Sequence, residues 1–431
     1  MEKTKVAIVG MGTVGAGVAK LLLDHGDRTA RHAGRTMWLE RVVVRDTKKT
    51  RRVDLPSGVL TDNLSDVTSD PEIKVVAQLI GGLEPARSIM LELLESGKDV
   101  VTANKALLAE HGGELFDRAR DLGRSIAFEA SVAGGIPIIT SISQCLSANA
   151  ITSLRGILNG TSNFIVTRME ESGAAFEDCV REAQELGYAE ADPTMDVDGS
   201  DAAQKLAILS HLAFGVRIHW ADIPRQGIND IETADIRYAD EMGYRMKLLA
   251  TAQLTDSGLQ MRVAPMLIRK GKPLAEVRGA FNAVSVVGDA VGRVFFHGQG
   301  AGQMPTASAV VADMIDLAVG RTQLTFRTLE LFSQAEARVE VCPSDEALSR
   351  FYFRFTVDDH PGVLGQMASI LGGHKISIAS VIQHEREGDA PVVPLVVMTD
   401  LANESAAAAA LQEINELPTV SRGGVRFRVT D

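Results

Sequence analysis

Glu190, Asp192, Asp196, Asp198 and Asp201 lie close together mid-chain, with Lys205 just beyond them. Asp201 and Lys205 stand at i and i+4, a spacing that puts both side chains on one helix face. The helix they open is otherwise apolar (Leu206, Leu209, Leu212, Ala213), so the pair sits at the mouth of a buried element. A lysine held by carboxylates can pass a proton to or from an oxygen whose charge changes during a reaction. Glu190, beside the pair, could grip an ammonium group. The plain alternatives are a surface salt bridge and a solvated acidic loop. The carboxylates lack the regular ligand spacing of an EF-hand.

Two more segments could meet this cluster. Thr102-Ala-Asn104-Lys105 follows a short apolar strand, and strand C-termini line the ligand crevice of parallel sheets. Asn159-Gly160-Thr161 could offer a turn with exposed N–H groups for a carboxylate.

The third element with chemical meaning is Gly10-Met-Gly12-Thr13-Val14-Gly15, between a strand (Val6–Val9) and a helix. Gly10 allows the tight turn, Gly12 leaves room for a pyrophosphate, and Gly15 lets helix and strand pack closely. The helix N-terminus offers free N–H groups to the phosphates. This predicts dinucleotide binding. After the second strand comes Val44-Arg45-Asp46, then Lys48, Lys49, Arg51 and Arg52. The cations suit a 2′-phosphate, with Arg45 best placed to fork onto it, which favours NADP(H); Asp46 leaves NAD(H) open. With a nicotinamide nearby, a lysine that moves protons suits hydride exchange between an alcohol and a carbonyl.

These groups need a scaffold. Strands at Leu39–Val44, Val75–Ile80, Asp99–Thr102 and Ile126–Glu129 alternate with helices at Ile89–Leu94 and Leu107–Ala119, which predicts a doubly wound parallel sheet. Beyond residue 130 the pattern becomes mixed. Strands are expected at Ser153–Leu158, Met261–Leu267, Ala283–Val287 and Val294–Phe296, with a helix at Asp201–Phe214. The tail reads β-α-β-β-α-β over Arg350–Val357, Pro361–Leu371, Ile376–Gln383, Val392–Met398, Ser405–Ile414 and Val425–Val429, a ferredoxin-like unit. The length, 431 residues, fits about two or three domains.

Composition narrows the classes. A net charge of −12 argues against nucleic-acid binding as the main task. Cys145, Cys179 and Cys342 are far apart and odd in number, so neither a disulfide framework nor a zinc set is expected, and they read as packing residues of a cytoplasmic protein. Ala130–Leu154 is free of charge, but its Gly134-Gly135, Pro137 and polar residues read as soluble structure and no membrane partner.

Taken in order, Gly10–Gly15, Val101–Lys105, Phe128–Pro137, Ile157–Asn163, the Glu190–Lys205 block and Gly300-Ala-Gly302 with Pro305-Thr306 resemble homoserine dehydrogenases over about residues 4–320. Asp358-Asp-His-Pro-Gly-Val-Leu364 resembles an ACT domain, as in the longer, monofunctional bacterial form; no aspartate-kinase segment precedes the glycine loop. The fold implied is α/β: a Rossmann-type NAD(P)-binding domain over 1–128, with a helix near 303–320 returning to it. A mixed α+β catalytic and dimerisation domain over 129–320, a linker over 321–348 and the ferredoxin-like ACT domain over 349–431 follow.

The resemblance implies reversible NAD(P)H-dependent reduction of L-aspartate 4-semialdehyde to L-homoserine, in threonine, methionine and isoleucine biosynthesis. It makes Lys205 the proton donor, Lys105 its partner in the active site, and Glu190 and Asp201 substrate ligands beside Asn159, Gly160 and Thr161. Cofactor contacts are expected at Gly10, Gly12, Thr13, Val14, Gly15, Arg45, Gly81, Thr102, Lys105 and Gly302. A monovalent cation, Na+ or K+, is implied at the Glu129 side chain and the carbonyls of Val132, Gly134 and Ile136. Oxygen donors suit such a hard ion. The tail implies L-threonine as effector and a homodimer or homotetramer. The competing readings are a sensor without turnover and a dehydrogenase of another amino-acid aldehyde.

Overall fold

The structure, a computed structural model, describes residues 2–329, 339–342, 347–385 and 391–430. The first sheet is six-stranded and parallel, in the order β3-β2-β1-β4-β5-β6. Its strands are β1 (Lys3–Val9), β2 (Thr36–Val43), β3 (Leu60–Thr61), β4 (Ile73–Gln78), β5 (Asp99–Thr102) and β6 (Ile126–Ala127). Helices α1 (Thr13–Asp24), α2 (Gly26–Ala33), α3 (Ser65–Thr68), α4 (Ala86–Glu95) and α5 (Lys105–Asp121) connect them. The central strands are buried on both faces, so Val6-Ala-Ile-Val9 and Val75-Val-Ala77 read as unbroken apolar runs. The order turns back between β1 and β4, and a crevice opens there at the strand C-termini.

The strand expected over Ile126–Glu129 stops at Ala127. The Glu129 N–H bonds the buried Asp313 carboxylate at 2.9 Å, and this draws the backbone out of the sheet into a 3-10 turn at Glu129–Ser131.

The second sheet runs β11-β10-β7-β8-β9-β16-β12-β14-β13, with β15 paired to β12. Its first half comprises β7 (Ile151–Ile157), β8 (Tyr244–Thr255), β9 (Gly258–Arg269), β10 (Phe281–Gly288) and β11 (Gly292–Gln299). Helices α6 (Ile138–Thr140), α7 (Gly160–Ser172), α8 (Phe176–Glu185), α9 (Thr194–Val197), α10 (Ser200–Phe214) and α11 (Thr233–Glu241) belong to the same region. Helix α12 (Gln303–Ala318) then returns to the first sheet: Ala307, Val310, Met314 and Leu317 share a core with Ile8 and Val18. Gly17 makes the approach feasible, since a Cβ there would lie 2.9 Å from the Ala307 methyl.

The stretch read as a linker begins with a helix, α13 (Arg321–Leu329); the rest of it lies mostly outside the described residues. Phe326 in α13 is buried and stacks on Phe116 of α5, with centroids 5.4 Å apart. A single apolar anchor in a polar segment gives too little periodicity to read as a helix.

The tail folds as β12 (Leu348–Asp358), α14 (Val363–Gly373), β13 (Ile378–Gln383), β14 (Val392–Thr399), β15 (Ala402–Asn403), α15 (Glu404–Asn415) and β16 (Val420–Thr430), in the expected order. Phe351, Phe353 and Phe355 alternate along β12 into a separate core with Met367 and Leu371. The tail is not a pendant module. β16 pairs in parallel with β9, Arg428–Thr430 against Met266–Ile268, and joins both halves into one sheet.

Candidate active site

Helix α10 starts after Gly199, whose φ is +85°, and Asp198 just before it accepts from the Ser200 N–H at 2.8 Å. Its apolar residues face the core, which leaves Asp201 and Lys205 one turn apart toward the end of β7. The Lys205 Nζ donates to Asp201 Oδ2 and to the Leu158 carbonyl, both at 2.7 Å. Asn159, next after Leu158, caps α7 by accepting from the Ser162 N–H and donates from Nδ2 to Asp201 Oδ2 (2.9 Å) and Asp196 Oδ1 (2.7 Å). Lys105 arrives from the other sheet, at the start of α5, and its Nζ lies 2.7 Å from Asp201 Oδ1. Asn104 caps α5 and also donates to the Ile80 and Gly82 carbonyls, so it ties two strand ends of the crevice together.

One carboxylate therefore holds two ammonium groups, one through each oxygen. Burial works against the Asp201 charge, but Lys205 and Lys105 outweigh it and hold the carboxyl far below the ordinary range. Burial also disfavours the Lys205 charge; Asp201 opposes this, Lys105 adds repulsion, and Lys205 ends below an ordinary lysine. Lys105 is desolvated too, but Asp201, Asp196 and Glu190 hold it above the ordinary value. Burial raises Asp196, against the Asn159 hydrogen bond.

The glycine loop fits a dinucleotide. Gly10 has φ +101°, and a Cβ there would meet the Leu79 carbonyl at 2.9 Å. A Cβ on Gly15 would lie 2.1 Å from the Gly10 carbonyl oxygen. Gly12 faces open space, and the first turn of α1 carries neither an acidic residue nor a side-chain cap, so its N–H groups are free for an anion. The Gln303 Nε2 donates to the Thr13 carbonyl at 3.0 Å, which ties the start of α12 to the start of α1. Arg45 is exposed just past β2, while Asp46 is engaged by the Lys48 N–H. Gly81 is exposed beyond β4. Thr102 is fully buried; its hydroxyl donates to Gln78 and accepts from the Asn104 N–H, so it supports the crevice floor without lining it.

The other expected residues surround this centre. Glu190 is exposed in the loop before α9, near enough to act on Lys105. The Thr161 hydroxyl donates to the Tyr188 carbonyl of that same loop at 2.7 Å. Gly160 opens α7 under the Ala280 carbonyl, 2.7 Å from where a Cβ would sit. Glu129 is buried, and its oxygens accept from Ile139 N (2.8 Å), Thr140 N (2.8 Å) and Thr140 Oγ1 (2.6 Å). Val132, Gly134 and Ile136 follow in a turn pinned by the Gly134 N–H on the Gly300 carbonyl at 2.9 Å. Among the described residues no group of three or more His, Cys, Asp or Glu could hold a metal. The Glu129 set is of another kind, with one carboxylate and three carbonyls. Cys145 is exposed, Cys179 buried, and all three cysteines are free. Sequence reasoning gave no role to Asn104 or to the Leu158 carbonyl. Asn104 carries a readable capping signal before α5; a backbone carbonyl carries none.

A dinucleotide loop facing a lysine–aspartate–lysine bridge across a crevice defines a nicotinamide-dependent oxidoreductase. Comparison with known proteins gives the family. The homoserine dehydrogenase model matches residues 137–315, the homoserine dehydrogenase NAD-binding model residues 10–129, and the ACT model residues 351–419. A homoserine dehydrogenase of Pseudomonas aeruginosa is 44% identical over 100% of this chain and 99% of its own. The crystal structure of a Thiobacillus denitrificans homoserine dehydrogenase superposes with a TM-score of 0.91 at 41% identity, covering 100% of this chain and 99% of that one. A hyperthermophilic archaeal homoserine dehydrogenase in complex with NADPH superposes at 0.63, with 25% identity over 74% of this chain and 98% of that one. The chain belongs to the homoserine dehydrogenase family. Its activity is the NAD(P)-dependent interconversion of L-homoserine and L-aspartate 4-semialdehyde. No helix among the described residues is long and apolar enough to cross a membrane.

Proposed function

We propose that Lys205 is the proton donor and acceptor of this homoserine dehydrogenase, with Lys105 and Asp201 as its partners. The carrying observation is the Asp201 bridge, 2.7 Å to each lysine. The nicotinamide, when bound, supplies or takes the hydride at the reacting carbon. In the reducing direction negative charge grows on the carbonyl oxygen; the Lys205 ammonium stabilises it and delivers the proton there. In oxidation, neutral Lys205 takes the hydroxyl proton, and burial, by lowering its pKa, makes the neutral form accessible. Asp201 keeps both lysines oriented and offsets their mutual repulsion. Lys105 orients the reacting oxygen. Glu190 grips the substrate ammonium, and the Asn159–Thr161 turn receives its carboxylate.

NADP(H) is the preferred cofactor, supported by exposed Arg45 and by the engagement of Asp46 within its own loop. A monovalent cation stiffens the 129–136 turn, held by Glu129 with the carbonyls of Val132, Gly134 and Ile136. The buried carboxylate supports this reading, since such a charge gains from a hard cation. L-threonine acts at the tail, in the Asp358–Leu364 turn, where Gly362 has φ +97° and opens α14. The working form is a homodimer or homotetramer in the cytoplasm.

The test is nicotinamide absorbance during L-homoserine oxidation, with NAD and with NADP, each with and without L-threonine. Lys205→Ala should bind NADPH nearly as the parent does and lose turnover. Equal loss of NADPH affinity and turnover in that variant would remove the proton-transfer role.

A further inference from the structure

Asn282 lies near the start of β10, buried to 1% exposure. Its neighbour Ala283 pairs with Ile157 at the end of β7, so Asn282 stands opposite Leu158. The Asn282 Nδ2 donates to the Leu158 carbonyl at 3.0 Å, the same oxygen that accepts from Lys205 at 2.7 Å. The Asn282 Oδ1 is buried and has no hydrogen-bond partner among the described residues. Leaving an acceptor unsatisfied carries a penalty.

Its surroundings show what it separates. A Cβ on Gly300 would fall inside the Asn282 carboxamide, 2.1–2.3 Å from its atoms. A Cβ on Gly160 would lie 3.2 Å from its Oδ1. The carboxamide is thus wedged between the turn proposed to hold the substrate and the loop that leads to Gly302. Gly300 is glycine because the wedge leaves no room there; at Gly160 the carboxamide adds to the closer Ala280 carbonyl.

We propose that Asn282 is a positioning residue for proton transfer: it fixes the Leu158 carbonyl that anchors Lys205 and sets the gap between the Gly160 turn and the Gly300 loop. This rests on the reading of Lys205 as the proton-transfer group. The charged groups that face Lys205 are Asp201 on its own helix, Lys105 from α5 and Asp196 from α9, with Glu190 acting on Lys105 from the preceding loop.

The test uses the full chain with Asn282→Asp, Asn282→Leu and, in parallel, Lys205→Ala. Three quantities are read: NADPH affinity by fluorescence, kcat for L-homoserine oxidation, and the pH profile of that kcat. Both Asn282 variants should bind NADPH within about threefold of the parent and lose about tenfold or more in kcat. The ascending limb of the profile should move in both, in opposite directions. In Asn282→Asp a new carboxylate favours the Lys205 ammonium, and the limb moves to higher pH by about one unit. In Asn282→Leu the Leu158 carbonyl is no longer held in place, its bond to the Lys205 ammonium loosens, and the limb moves by a smaller amount to lower pH. Unshifted profiles in both variants overturn the proposal, whether NADPH binding survives (a packing residue) or is lost (a cofactor wall). Parental turnover in Lys205→Ala instead removes the assignment beneath it.

Discussion

Arg354 and Asp235 meet as a two-bond fork inside the protein, Nε to Oδ1 at 2.6 Å and Nη2 to Oδ2 at 3.0 Å. Arg354 belongs to β12 of the tail and Asp235 to the first turn of α11, and Asp235 has no exposed surface. Tyr352 adds a third bond to Asp235 at 3.1 Å. Breaking a buried pair from one side leaves a charge without compensation. Arg354→Met should therefore destabilise the protein by about 3–5 kcal/mol in urea titration. Arg422→Ala, which removes an exposed partner of Glu232, should cost no more than about 1 kcal/mol. Equal losses would mean that burial of the fork does not set its strength.

Asp201→Asn should lower kcat for L-homoserine oxidation by at least about a hundredfold, since both lysines lose the carboxylate they share. The direction of the pH effect separates charge from packing. Asp201 raises Lys205, so its removal lowers Lys205 further, and the ascending limb of the profile moves to lower pH. A limb that stays in place would show that the carboxylate does not tune the lysine.

Arg45→Ala should reduce kcat/KM for NADP by about ten- to a hundredfold, the range of one charge-assisted hydrogen bond, with little change for NAD. Steady-state kinetics with both cofactors give the ratio. A parallel loss with NAD would place Arg45 on some part common to both.

Lys247 is fully buried on β8, and its Nζ donates to Asn163 Oδ1 (3.0 Å) and the Val277 carbonyl (2.6 Å). Burial pulls it down to about 8. The unfolded chain holds this proton up to the ordinary lysine range, so between those limits folding releases it, and the contribution rises with pH. The parent should gain at most about 3 kcal/mol from this group between pH 8 and pH 10.5. In Lys247→Met that pH-dependent gain should vanish from urea titrations run across the interval. Persistence of the full slope would assign it to other groups.

The sequence exposed some relationships and hid others for definite reasons. Gly10 and Gly15 were legible because each answers a steric need within the fold that only glycine meets, and Gly12 because it leaves room for a pyrophosphate. Asp201 and Lys205 were legible because one helical turn relates them. Lys105 was legible as a strand-end lysine, but its bond to Asp201 depends on how two sheets meet, which no local pattern encodes. The tail was read strand by strand because its alternation is strong. Strand β8 was missed: Arg245 and Lys247 interrupt an apolar run, and nothing in the sequence says that Lys247 points inward. Phe128 and Glu129 read as strand because Asp313, which bends the chain there, lies far along it. Asn282 carried no signal, since its partners are a carbonyl and two glycines.

The parallel register of β16 against β9 bears on how regulation can be studied. Cutting the chain before β12 would do more than remove a ligand-binding module. It would uncover the rim of β9 at Met266–Ile268, unpaired backbone flanked by apolar side chains, a template for another chain to dock on. In a shortened protein, clumping or a change in effector response would carry the effect of a bare edge together with any loss of signal. Sensitivity to an effector is better dissected by single replacements in the turn around Gly362, which leave the seam between the two halves closed.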